Sequence, residues 1–262
     1  MGGVVGCIVG VAVGLGDAVI VVVGRTAPVG VGGSEGRTEA TGYGVIFTVR
    51  EALKELGLRA DQTRASIQGF GNVAQYAARL YQQLGGTVTC VSCWDQQDQV
   101  SYSYRRASGI DIEELTSITD RFGGIDRQRA EGLGYERLAG DEWIEQEVEI
   151  LIPAALENQI TADNVGSIPE TVKIVAEGAN GPTSPDADEV LEKRGVFLVP
   201  DLLANAGGVT CSYFEQVQSN MNYYWEKDEV LAKLDVKMTS AFADVSDLAK
   251  QEKLYMRDAA YV

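Results

Sequence analysis

Ala65-Ser66-Ile67-Gln68-Gly69-Phe70-Gly71-Asn72-Val73-Ala74 joins a short apolar run to Gly-x-Gly-x-x-Ala, and a helical pattern follows at once. Each small residue has a separate reason to be there. Gly69 permits a tight turn out of a strand, and Gly71 lets a phosphate group approach the backbone. Ala74 lets the following helix pack closely on the strand. Asn72 and Val73 open that helix, whose free N–H groups and positive dipole end favour an anion. A Gly-x-Gly-x-x-Ala alone is a weak signal. Here the strand at 65–68, the helix predicted over 72–84, the stop at Gly85-Gly86 and a second strand over 87–93 supply the expected context for a dinucleotide. Gly14-Leu15-Gly16 has no amphipathic helix after it and is set aside.

Outward from this unit, strand and helix patterns alternate. Residues 39–56 carry Val45, Val49, Ala52, Leu53 and Leu56 at helical spacing and end at Gly57. Residues 94–108 read as a loop before a short helix at 111–119. Further strands fall at 148–152, 172–176 and 196–199, with a helix at 184–194 between the last two. From Leu202 onward the pattern is helical. The prediction is an α/β, Rossmann-like, doubly wound and mostly parallel sheet with a C-terminal helical segment. It occupies residues 32–262, behind an atypical Gly/Val-rich segment at 1–31.

The 262-residue chain carries 22 Lys+Arg against 38 Asp+Glu, a net charge of −16, which argues against nucleic acid and anionic membranes as partners. It contains no histidine, which excludes a Ser-His-Asp triad, a Cys-His dyad and an HExxH zinc site. Its four cysteines fit a reducing, cytoplasmic setting better than a disulfide scaffold. Cys90 and Cys93 form a CxxC inside an apolar strand pattern and read as buried strand cysteines; no metal site is expected. Residues 2–24 have small residues at four-residue spacing, as in packed membrane helices. Their glycine content, Asp17 and the lack of a preceding cation argue against a membrane segment.

Ligands of open α/β sheets lie beyond the carboxyl ends of the strands. At the end of the second strand, Cys93 stands where an acid holding the ribose hydroxyls is sought, and Asp95 follows two positions later. Arg105 and Arg106 are candidates to meet the 2′-phosphate of NADP; their alternative is solvated loop charge. The cofactor is therefore NAD or NADP, with a lean to NAD. Three more strand-end loops bear amides or small residues: 153–158 with Ala154, 177–183 with Asn180, and 201–208 with Asn205. Such amides can hold a carboxamide or a ribose, or simply cap a turn.

Together, Gly32-Gly33-Ser34-Glu35-Gly36-Arg37-Thr38-Glu39-Ala40-Thr41-Gly42-Tyr43-Gly44, Gly69 to Val73, Leu156 to Ile160, Glu177 to Thr183, Leu203 to Gly208 and Ser212-Tyr213-Phe214-Glu215 resemble the cofactor domain of the glutamate dehydrogenase family, in the family's order. Leucine and phenylalanine dehydrogenases share the fingerprint, but the first and last stretches are more like the glutamate branch. The resemblance implies oxidative deamination of L-glutamate to 2-oxoglutarate and ammonia with NAD(P). It implies that Thr41 holds the nicotinamide amide and that Asn72, Asn180 and Asn205 lie near the cofactor. It also implies that Ser212 binds the substrate's side-chain carboxylate; a helix serine bonded to its own backbone is the alternative. The family's catalytic Lys and Asp belong to an N-terminal substrate domain that residues 1–31 do not match, so no catalytic residue is assigned. The expectation is a chain that binds cofactor and turns over glutamate poorly or not at all, or else a non-catalytic dinucleotide-binding module. That substrate domain also supplies the main contacts of the family's homo-oligomer.

Overall fold

The computed structural model describes residues 33–262. The Gly/Val-rich segment at 1–31, the membrane reading of 2–24 and the triplet at 14–16 lie outside the described residues. Among the described residues, no helix is long and apolar enough to cross a membrane.

The chain opens with α1 (Ala40–Glu55), followed by the unit β1 (Arg64–Gln68), α2 (Asn72–Gln83) and β2 (Thr87–Asp95). An excursion of β3 (Val100–Arg105), α3 (Ile112–Thr116), α4 (Arg127–Gly132) and β4 (Glu136–Ala139) comes next. The second half holds β5 (Ile150–Pro153), β6 (Ile174–Ala176), α5 (Pro185–Lys193) and β7 (Phe197–Val199). Helices α6 (Asp201–Ala204), α7 (Gly207–Met221), α8 (Lys227–Glu252) and α9 (Met256–Ala260) close it.

The seven strands form one sheet in the order β4-β3-β2-β1-β5-β6-β7. β1 pairs in parallel with β2 on one side and β5 on the other, and β6 and β7 continue the parallel run. The strand order therefore reverses direction at β1, the switch point where such sheets open a crevice. Side chains alternate between two apolar layers, as a sheet covered on both faces requires. Ile150, Ile152, Ile174, Ala176 and Val199 join the layer under α1, α2 and α8, while Leu151, Val175 and Leu198 face α5.

The fold class stands as predicted, with two corrections. The stretch read as a loop contains β3, which runs antiparallel to β2 and is itself paired antiparallel with β4. Its Val100-Ser101-Tyr102-Ser103-Tyr104 alternation is strand-like. The hairpin is turned, however, by the Asp95 carboxylate accepting from the Gln97 and Asp98 N–H groups and by Gln99 at φ +55°, not by a Gly or Asn dipeptide. The second correction is that the C-terminal helical stretch is four helices. The break after α7 is Asn222 in the left-handed region at φ +51°, and the break after α8 is Lys253 at φ +57°.

The helices approach one another closely around α1. A Cβ on Gly42 would lie 2.5 Å from the Val73 carbonyl oxygen in α2, and one on Gly207 would lie 2.1 Å from the Ala40 carbonyl. These two contacts bring the starts of α1, α2 and α7 together at the carboxyl edge of the sheet.

Candidate functional site

The glycine turn lies at the centre of that edge. Gly69 adopts φ +96°, a conformation that disfavours any side chain, and its N–H donates to Ser92 Oγ of β2 at 3.1 Å. Gly71 is different. Its φ of −79° is open to any residue, and a Cβ there would meet nothing within 4 Å. Neither backbone nor packing asks for glycine at 71, so the free space before α2 is what its absent side chain preserves. No side chain caps α2, which leaves its first N–H groups pointing at that space. A pyrophosphate fits this arrangement, carried by backbone donors and the helix dipole.

To one side, Asp95 ends β2. Its Oδ1 takes two backbone N–H groups, and its Oδ2 meets Arg127 Nε at 3.0 Å. The hydrogen bond from the Asp98 N–H, reinforced by that of Gln97 and by Arg127, holds its carboxyl below the usual range. With Arg127, Arg129, Arg137, Ser117 and Asp120 it lines a cavity of about 770 Å³. Cys93 is buried, and burial pushes its thiol up to about 11. Cys90, Cys93 and Cys211 are free, buried thiols, in keeping with the strand reading of the CxxC.

Arg105 and Arg106 do not reach this cavity. Arg105 lies opposite Cys90, back along β2, and pairs with Glu136 at 2.6 Å. Arg106 pairs with Glu114 at 2.9 Å and covers the Tyr135 ring. The cation that meets Asp95 is Arg127, at the start of α4. Its only sequence signal was Asp126, whose carboxylate caps that helix by accepting the Arg129 N–H.

To the other side, the remaining candidates converge. A Cβ on Gly178 would lie 3.1 Å from the Ala154 Cβ and 3.4 Å from Val73 Cγ1, which brings the β5 and β6 loops onto α2. Asn205 Nδ2 donates to Asn180 Oδ1 at 2.7 Å. Thr41 faces Gly208, where a Cβ would be 2.5 Å from its Oγ1. Asn72 turns its amide to the Thr38 carbonyl at 2.7 Å, tying the glycine turn to the segment before α1. Ser212 Oγ donates back to the Gly208 carbonyl at 3.2 Å, the helix-serine alternative, and also accepts from Arg37 Nε at 3.1 Å. Arg37 and Gln68 were not foreseen. The Gln68 side chain accepts the Ala155 N–H at 3.1 Å and donates to Gln159 at 2.7 Å, fixing the β5 loop.

The crevice thus has an acidic end at β2, open space at the uncapped start of α2, and an amide- and hydroxyl-lined end over β5, β6 and α7. That succession matches the parts of a dinucleotide in order.

The family described as glutamate/leucine/phenylalanine/valine dehydrogenase matches residues 32–262. The chain is 41% identical over 235 residues to an NAD-specific glutamate dehydrogenase of Clostridioides difficile, covering 90% of this chain and 54% of that protein. To a glutamate dehydrogenase of Thermotoga maritima it is 44% identical over 239 residues, with the same coverage of 90% and 54%. Among solved structures, glutamate dehydrogenase from Peptoniphilus asaccharolyticus superposes with a TM-score of 0.75 at 37% identity, covering 89% of this chain and 52% of that one. The hetero-hexameric glutamate dehydrogenase from Thermus thermophilus gives 0.78 at 29% identity, again over 89% and 52%. The chain spans about half the length of the relatives it matches. It belongs to the glutamate/leucine/phenylalanine/valine dehydrogenase family.

Proposed function

We propose that residues 32–262 form the cofactor-binding half of an amino-acid dehydrogenase of glutamate dehydrogenase type, holding NAD(P) across the carboxyl ends of β2, β1, β5 and β6. The observation that carries the reading is the empty space before Gly71, which neither backbone conformation nor packing explains. NAD is preferred over NADP because Asp95, ionised at the end of β2, accepts from ribose hydroxyls and repels a 2′-phosphate. Cys93, buried beneath, shapes that end without touching charge. Relatives named as NAD-specific agree with this choice.

When bound, the nicotinamide supplies the hydride acceptor. The chain's own residues orient it. Thr41, Asn180 and Asn205 are placed to hold the carboxamide and ribose, with Gly69, Gly71, Asn72, Val73 and Ala154 forming the floor of the crevice. Ser212, polarised by Arg37, is placed to take the side-chain carboxylate of L-glutamate or 2-oxoglutarate. Amides and a hydroxyl do not deprotonate an amine or activate water. Among the described residues, the nicotinamide end holds no lysine: Lys227, for example, is engaged by Glu39. The purified chain is accordingly expected to bind cofactor without sustaining glutamate oxidation. A glutamate-dependent NADH assay tests this, and turnover at rates normal for a dehydrogenase, about 10 s⁻¹, would overturn it.

A further inference from the structure

Arg257, in the short helix α9, ends far from the glycine turn in sequence, yet it joins the loops that carry both nicotinamide-end amides. Its Nη2 donates to Glu177 Oε1 at 2.7 Å and its Nε to Asp188 Oδ2 at 2.5 Å, and its Nη1 lies 3.7 Å from Asp201 Oδ1. Glu177 is fully buried at the end of β6. Its second oxygen, Oε2, accepts the Asp201 N–H at 2.8 Å, and Asp201 Oδ2 accepts the Gly181 N–H at 2.8 Å. The loop from Glu177 to Gly181 contains Asn180. Asp201 starts α6, and its carbonyl accepts the N–H of Asn205 at 3.0 Å. One guanidinium therefore stands against three carboxylates, two of which cross-link the Asn180 loop to the Asn205 helix.

We propose that Arg257 is a positioning residue for the nicotinamide end of the crevice: through Glu177 and Asp201 it sets the relative placement of Asn180 and Asn205. This rests on the cofactor reading above. Without the guanidinium, the buried Glu177 carboxylate loses its counter-charge. The Glu177 and Asp201 carboxylates also lose the cation between them and repel, so the two loops part. The adenosine end is untouched, because Asp95, Arg127 and the glycine turn contact none of these groups.

That separation of ends gives the test. NADH and ADP, which lacks the nicotinamide and its ribose but keeps the adenosine and both phosphates, are titrated into the full chain and into Arg257→Met and Arg257→Lys. For Arg257→Met, NADH is expected to bind about tenfold more weakly, the loss of roughly one amide hydrogen bond, with ADP unchanged. Arg257→Lys, which keeps a charge but not the planar fork, should fall between and covers the case in which the Met variant does not fold. A lowered melting temperature with an unchanged ratio of NADH to ADP affinity in the folded variant would overturn the proposal and leave Arg257 as a structural brace. If the unaltered chain binds neither ligand, the cofactor reading itself fails and the proposal fails with it.

Discussion

The side-chain amide of Asn205 donates to the side-chain oxygen of Asn180 across 2.7 Å, linking the end of α6 to the loop after β6. The bond leaves the Asn180 nitrogen and the Asn205 oxygen as the free donor and acceptor of the pair. A carboxamide or ribose meeting both must lie over the crevice between β6 and α7. Asn205→Ala removes the free acceptor and releases Asn180 to rotate. The expected result is about tenfold weaker NADH binding, read by fluorescence titration, with ADP binding retained.

Gly71 separates ligand effects from folding effects. Gly71→Ala adds a methyl group to open space at a φ any residue adopts. Thermal unfolding should place its stability within about 1 kcal/mol of the parent, the difference between Gly and Ala at a helix N-cap, while NADH affinity falls by about tenfold or more because the methyl occupies the open space proposed for the pyrophosphate. Gly207→Ala is the contrast. Its Cβ would lie 2.1 Å from the Ala40 carbonyl, so α1 and α7 must move apart at a cost of about 2 kcal/mol.

The contrast between β1–α2 and β3 explains what could be read from sequence. The glycine turn is a local device whose residues are constrained by backbone geometry and by a ligand, so its chemistry is written in adjacent positions. The β2–β3 hairpin is turned by the Asp95 carboxylate and by Gln99 in the left-handed region; a single Asp also fits many loops, and the Gly or Asn dipeptide that marks a hairpin is missing. Asn180 and Asn205 were visible as strand-end amides, but their mutual hydrogen bond depends on packing. Arg127 and Arg257 were invisible because their partners, Asp95 and Glu177, are distant in sequence, and the nearer Arg105 and Arg106 proved to be engaged elsewhere.

On the proposed reading, Asp95 sets the choice between NAD and NADP. Replacing it with serine removes the repulsion toward a 2′-phosphate and leaves Arg127, beside the cavity, with Asp98 in place of the two carboxylates it now pairs with. Asp95→Ser is expected to lower the ratio of NADH to NADPH affinity by about tenfold. Parallel titrations with both cofactors check it, and an unchanged ratio would assign the choice to another residue.

Acid should loosen the packing of α8 on α1. Arg50 donates to both oxygens of Asp235, at 2.6 and 2.9 Å, and this holds the Asp235 carboxyl below its ordinary value of 3.8. A group whose folded pKa is depressed stabilises the fold fully above its unfolded pKa, and that contribution is lost as pH falls through the folded value. The stability difference between the parent and Asp235→Asn should therefore be constant from about pH 8 to about pH 5 and be lost as pH falls below the ordinary value of 3.8, as measured by urea unfolding across the range.

Residues 32–262 are proposed to hold a dinucleotide across the switch point at β1. An NADH fluorescence titration of the purified chain, with NADPH run alongside, tests it most directly. Saturable binding of NADH, tighter than that of NADPH, is the predicted result. Binding of neither by a chain whose circular dichroism shows it folded would contradict the account.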